Sequence, residues 1–61
     1  MSIRYEVTER RNNSERKLQI CYDKADAFRF YERYRHNFNL VIYRISYDWH
    51  TGCIHSKSVI A

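Results

Sequence analysis

The sequence predicts an α+β fold of order ββαββ, in which one helix covers one face of a four-stranded antiparallel sheet. Three observations predict it: two runs of alternating apolar and polar residues before residue 23, one amphipathic segment after them, and a second pair of β-rich runs within residues 40–60. A chain of 61 residues is short, so we expect a single domain spanning 1–61.

The first two strands are predicted to form a hairpin. Residues 3–8 and 16–22 both alternate between apolar and polar side chains, and the polar stretch between them contains an Asn-Asn-Ser turn signal. The apolar members of the two runs are Ile3, Tyr5, Val7, Leu18, Ile20 and Tyr22. Because alternate residues share one strand face, we expect both sets to lie under the helix.

The helix is predicted over residues 23–38. Asp23 is a suitable N-cap because its carboxylate can accept backbone N–H bonds, and Asn37 suits the left-handed conformation that ends many helices. The side expected to pack on the sheet is apolar and carries Ala27, Phe28, Phe30, Tyr31, Tyr34 and Phe38. The opposite side carries Arg29, Arg33 and His36, a row that is either solvated or binds an anionic partner.

Residues 40–47 predict the third strand and residues 53–60 the fourth, joined by a turn that contains Gly52. We expect the strand order 2-1-3-4 rather than 1-2-4-3, because it places the most β-prone strand inside the sheet. The face of the third strand expected under the helix consists of Val41, Tyr43, Ile45 and Tyr47.

The turn also predicts the register of the last two strands. The expected pairs are Asp48 with Cys53, Tyr47 with Ile54, Val41 with Ile60, and Arg44 with Lys57. The last pair sets two cations opposite each other, which is unfavourable. The predicted core consists of Ile3, Tyr5, Val7, Leu18, Ile20, Tyr22, Phe28, Tyr31, Tyr34, Phe38, Val41, Tyr43 and Ile45.

The composition limits the function classes. The net charge of +4 favours acidic partners. Two cysteines do not form a disulfide framework, no signal-peptide pattern is evident, and no apolar run approaches the ~20 residues that span a bilayer. These features predict a cytoplasmic protein without a membrane partner.

The residue types that carry chemistry do not form a recognisable catalytic or metal site. His50, Cys53 and His55 follow a His-x-x-Cys-x-His spacing, which is not a typical zinc pattern. Cys21 is expected on the opposite edge strand, out of reach of Cys53. Paired carboxylates at a useful spacing are lacking as well, so we predict a protein that is not an enzyme and needs no metal or cofactor.

The predicted partner-binding surface is the helix-free face of the sheet. Alternation leaves an apolar strip there, ringed by cations that would orient an acidic partner. The residues of this surface are Arg4, Lys17, Leu40, Ile42, Arg44 and Val59. The same face is suited to pairing two copies as a homodimer.

The alternative function is a small basic nucleic-acid-binding module. Arginines interleaved with aromatics are typical of such proteins. The residues that would contact phosphates are Arg10, Arg11, Arg29, Arg33 and Arg35. The alternation assigns the strand tyrosines to the covered face, so the helix-free face is expected to lack a base-stacking platform.

The order of elements resembles that of small phage-encoded inhibitors, including some anti-CRISPR proteins and inhibitors of host RNA polymerase. The resemblance covers roughly residues 4–47: a strand at 3–8, the polar Asn-Asn-Ser-Glu tip, a strand at 16–22, the Asp23-x-x-Asp26-Ala27 helix start and a strand at 40–47. It implies a non-catalytic protein that blocks a larger protein or ribonucleoprotein complex by occupying its surface. The basic charge departs from inhibitors that mimic DNA with acidic surfaces.

Overall fold

Four strands and one helix form from the alternating and amphipathic segments, in the order that the sequence predicts. The computed structural model describes residues 2–61. The elements are β1 Ser2–Arg11, β2 Ser14–Cys21, α1 Lys24–Tyr34, β3 Leu40–Tyr47 and β4 Ile54–Val59. All neighbouring strands are antiparallel, and the sheet order β2-β1-β3-β4 confirms the prediction.

The helix begins where the sequence predicts and ends earlier. The Asp23 carboxylate accepts a hydrogen bond from the backbone N–H of Ala25 at 2.8 Å, which caps the first turn. At the other end, the N–H groups of Asn37 and Phe38 both donate to the carbonyl of Tyr34, at 3.0 and 3.1 Å. The chain therefore tightens into a turn after Tyr34, although Phe38 still packs against the core.

The helix covers the face of β3 opposite to the predicted one. Leu40 and Ile42 are buried together with Val7 and Ala27 on the helix side, and Ile42 is 0% exposed. Both faces of β3 are apolar, so alternation alone does not decide which one meets the helix. The small side chain of Ala27, also 0% exposed, is consistent with close packing of α1 on the aliphatic face.

A second, smaller cluster occupies the helix-free face and contains Val41, Tyr43 and Ile45, with Tyr47 at its margin. These residues are buried as predicted, but not under the helix. Long cationic side chains cover them: the Arg4 guanidinium lies 4.7 Å from the centre of the Tyr47 ring, and the Lys57 ammonium lies 4.2 Å from that of Tyr43. The cluster on the helix-free face is therefore covered by side chains of the sheet itself.

The predicted inward set of β2 is wrong at two positions. The pairing of β1 with β2 shifts by one residue between Val7 and Thr8, and Leu18 lies opposite this bulge. Because of the shift, Leu18 and Cys21 both contact the helix-side core although they are three positions apart. Ile20 and Tyr22 are instead 42% and 72% exposed.

A second bulge, between Ser46 and Tyr47, corrects the predicted register of β4. Tyr47 pairs with Ile54 as expected, whereas Lys57 pairs with Ile45 and not with Arg44. The cation–cation pair that the unbroken register required is therefore absent from the described strands. Val41 does not pair with Ile60 either, because the backbone of Ile60 bonds to that of Ile42.

Candidate protein-interaction surfaces

The residues of the predicted partner-binding surface do not lie together. Some lie on the helix-free face, some are buried in the core, and one lies on the helix side of the sheet. Arg4, Lys17 and Val59 lie on the helix-free face, as expected. The prediction that Leu40 and Ile42 form an exposed strip is wrong, because the helix covers them and leaves them 6% and 0% exposed. Arg44 pairs with Tyr5 and so lies on the helix side of the sheet.

The cations of the helix-free face are engaged within the chain. Glu6 is only 4% exposed, and its carboxylate accepts a hydrogen bond from Arg4 Nε at 2.8 Å. The Lys17 ammonium approaches the same carboxylate oxygen at 3.5 Å. A buried carboxylate needs such partners, so Arg4 and Lys17 are held by Glu6 and are less available to a partner molecule.

Three side chains form a hydrogen-bonded network at the hairpin end of this face. The Tyr43 hydroxyl donates to Glu15 Oε2 at 2.7 Å and accepts from Arg10 Nη2 at 3.0 Å, while Arg10 Nε donates to Glu15 Oε2 at 2.8 Å. The hydrogen bond from Tyr43, followed by that from Arg10, lowers the pKa of Glu15. The bond to Glu15 raises the pKa of Arg10, so the pair is charged at neutral pH.

Ion pairing also divides the arginines of the nucleic-acid hypothesis. Arg10 pairs with Glu15, Arg29 approaches Asp26 at 2.9 Å, and Arg35 approaches Glu32 at 3.4 Å. Within residues 2–61, Arg11 and Arg33 form no ion pair. The five arginines therefore do not form one uncompensated basic patch.

Two concavities of equal volume, about 580 Å³, lie at the surface: a polar one at the hairpin tip, and one with aromatic walls between α1 and the edge strand β2. The latter, the α1–β2 groove, is lined by residues 19–23 and by Asp26, Arg29, Phe30, Arg33 and Tyr34 of the helix. Its size falls within the ~300–1,000 Å³ range of ligand-binding clefts. The thiol of Cys21 lies at its inner side, where burial raises the pKa of the thiol.

The local sequence explains how the groove forms. The lining helix residues recur at intervals of three and four, and therefore lie along one stripe of α1. Within the stripe, the rings of Phe30 and Tyr34 contact each other with centres 4.7 Å apart. The opposite wall exists because the bulge in β2 turns Ile20 away from the core and Tyr22 extends beyond the strand.

The sequence does not predict this groove, because regular alternation places Ile20 and Tyr22 in the core. Another concavity of about 310 Å³ continues along β2 and is lined by residues 17–20. Gln19 and Ile20 line both. The free edge of β2 is thus bordered by concave surface along most of its second half.

The other edge of the sheet also exposes apolar side chains. Ile54 and Val59 of β4 are 52% and 57% exposed, and Trp49 in the preceding turn is 67% exposed. Lys57 lies between the two aliphatic residues, and the helix packs over β1, β2 and β3 only. This edge has no groove comparable to that beside β2 among the described residues.

The chemistry-bearing residues lie apart. Cys21 ends β2, whereas Cys53 precedes β4 at the opposite edge, and both thiols are free. Within residues 2–61, no group of three or more His, Cys, Asp and Glu side chains is placed to hold a metal ion. No helix in this range combines the length and apolar character needed to cross a membrane.

Comparison with protein families, with characterised proteins and with solved structures finds no significant match to this chain. Function must therefore be inferred from the geometry and chemistry of its own surfaces.

Proposed function

We propose that this chain is a non-enzymatic cytoplasmic interaction protein that binds a larger protein or ribonucleoprotein complex and blocks it by occupying its surface. The observation that carries the proposal is the α1–β2 groove, bordered by the exposed side chains of Ile20 and Tyr22. The shared order of elements with small phage-encoded inhibitors motivates the inhibitory action.

The composition of the groove favours a protein partner. Aromatic residues and arginine are enriched where protein–protein interfaces gain most of their energy, and the groove contains Tyr22, Phe30, Arg33 and Tyr34. A domain this small buries little apolar surface by itself. Burial of the exposed Tyr22 ring against a partner would therefore be favourable. The groove thus combines apolar anchors with a charged margin.

The same groove offers little for catalysis. Cys21 is the nucleophilic side chain at its inner wall, and burial raises the pKa of its thiol, which favours the unreactive protonated form. The carboxylates at the groove are also engaged: Asp23 caps the helix, and Asp26 pairs with Arg29. These groups hold the fold and are poorly placed to act as an acid–base pair.

The proposal is tested by affinity capture from a bacterial lysate, with and without nuclease treatment, using the immobilised chain and the variants Tyr22→Ser and Trp49→Ser. Both residues are aromatic and similarly exposed, at 72% and 67%, but only Tyr22 lines the groove. We expect one protein complex to be retained by the wild type and by Trp49→Ser, and lost from Tyr22→Ser.

Two outcomes contradict the proposal. Loss of all captured protein on nuclease treatment would favour the nucleic-acid alternative. Equal retention by both variants would show that the groove is not the binding surface. Circular dichroism of each variant establishes that the substitution leaves the fold intact.

A further inference from the structure

We propose that the α1–β2 groove takes up an extended, acidic segment of the partner protein, which adds to the free edge of β2 as a fifth strand and sets a carboxylate on Arg33. This inference rests on the proposed function and specifies its binding mode. Strand addition supplies affinity through backbone hydrogen bonds, and pockets for alternate side chains supply specificity.

The first support is the unprotected edge of β2. An edge strand presents unpaired N–H and C=O groups, and proteins commonly guard such edges with charged side chains. The first half of β2 is guarded in this way by Glu15, Arg16 and Lys17, whereas residues 18–22 contain no charge. The unguarded half is the part that borders the groove.

The opposite edge provides an internal comparison. β4 carries Lys57 near its centre and has no helix packed beside it. A strand added at β4 would lie next to a charged side chain. In the described part of the chain, no helix lies beside β4 for the side chains of the added strand to pack against. Of the two edges, β2 alone therefore combines free backbone groups with a groove in the described structure.

The shape of the groove fits an extended chain. Alternate side chains of an added strand point to opposite faces of the sheet. Those on the helix side would meet Phe30 and Tyr34, and those on the other side would lie next to Ile20. The adjoining concavity along residues 17–20 lengthens the surface in the strand direction.

Two carboxylates and two arginines line the groove, and Arg33 is the charge among them that favours an acidic partner segment, because Asp26 pairs with Arg29 and Asp23 caps the helix. Arg33 forms no ion pair within residues 2–61, and its guanidinium lies 5.4 Å from the centre of the Tyr34 ring. Arg29 remains 76% exposed although it pairs with Asp26. A carboxylate reaching Arg33 could form a bidentate, charge-assisted pair, which suits arginine geometry.

A second copy of this chain is a poorer occupant. Residues 18–22 contain no carboxylate to offer to Arg33 of another copy. Pairing two β2 edges would bring both the arginines and the carboxylates of the two grooves to one seam. Asp26 is already paired with Arg29 and Asp23 caps the helix, so neither is free for Arg33 of the other copy. The occupant we infer is therefore a segment of a different protein.

The test uses short synthetic peptides of alternating valine and threonine with one central glutamate, and a matched set in which lysine replaces the glutamate. Fluorescence anisotropy with the purified full chain should show the glutamate peptide binding about tenfold more tightly, the ratio that ~1.4 kcal/mol provides. Amide hydrogen exchange should slow at residues 18–22 on binding, because the edge groups become paired.

Two arginine variants serve as test and control. Arg33 and Arg44 both lack an ion pair within the described residues, but only Arg33 lines the groove. Arg33→Glu should reverse the preference in favour of the lysine peptide, and Arg44→Glu should leave it unchanged. A valine–threonine peptide with methylated backbone nitrogens should not bind, because it cannot complete the ladder.

The strand-addition mode is overturned if exchange at residues 18–22 is unaffected by the peptide or if Arg33→Glu leaves the preference as it was. It is also overturned if a single-stranded oligonucleotide displaces the glutamate peptide, or if the chain sediments as a dimer that is lost in a Tyr22→Ser variant. The broader function fails separately, when capture from lysate does not depend on Tyr22.

Discussion

Tyr43 shows how one polar atom can indicate which face of a strand meets solvent. Its hydroxyl bonds to both Glu15 and Arg10, groups that are at the surface of the hairpin end. Under the helix, the same hydroxyl would need a partner in a core made mainly of aliphatic and aromatic side chains. The aromatic ring is nevertheless covered, because Lys57 lies over it.

The Glu15 network predicts a pH-dependent contribution to stability. Because the pKa of Glu15 is lowered in the folded chain, its ionised form stabilises the fold above the ordinary glutamate pKa. This contribution is lost as the pH falls through the lowered value. Melting temperatures measured from neutral pH down to about pH 3 should therefore fall less steeply below about pH 5 for Glu15→Gln than for the wild type.

Tyr43→Phe provides the matched comparison, because it removes the largest cause of the shift and keeps the ring. Its melting temperature should also depend less on pH over the same range. If both variants follow the wild-type slope, the hydrogen bonds in this network do not stabilise the ionised form of Glu15.

At the scale of elements, the helix start, the strand order and the helix-side face of β1 were predictable, whereas the faces of β2 and β3 were not. Asp23 is a strong local cap signal, and the apolar richness of residues 40–47 favours an interior strand. The two β-bulges leave no such local mark. Each inserts one residue into the ladder, and the first brings both Leu18 and Cys21 against the helix-side core, a contact that is distant in sequence.

These bulges explain why the candidate site could not be predicted. A regular alternation over residues 16–22 assigns Ile20 and Tyr22 to the core, and only the shifted register exposes them at the edge that borders the groove. The spacing of Arg29 and Arg33 predicts that they form a row on the helix. Their position beside an edge strand depends on tertiary packing that the sequence does not encode locally.

The inverted faces of β3 give a direct stability test. Ile42→Ala removes methyl groups from a fully buried site on the helix side and should cost about 2–5 kcal/mol, a large part of the stability of so small a domain. Ile54→Ala, at a residue that is 52% exposed, should change stability much less. Urea unfolding of both variants measures the difference, and equal costs would mean that the face assignment is wrong.

At the scale of the whole molecule, the two edge strands of the sheet, β2 and β4, have different surroundings. β4 is exposed at every residue and carries Lys57, while β2 is bordered by the helix and by two concavities. On the helix-free face, ion pairs and cations cover Glu6 and the tyrosines, while Ile54 and Val59 remain exposed at its β4 margin. We propose the α1–β2 groove as the partner-binding surface because it joins exposed apolar side chains to an arginine without an ion pair among the described residues.

The most direct test of this central claim is site-specific photo-crosslinking in a nuclease-treated lysate. A photoreactive phenylalanine analogue replaces Tyr22 in the groove or, in a second sample, Val59 on the helix-free face; these residues are 72% and 57% exposed. We predict a crosslinked partner protein from position 22 and none from position 59. A crosslink from position 59 alone would contradict this claim and would indicate that the partner binds the helix-free face.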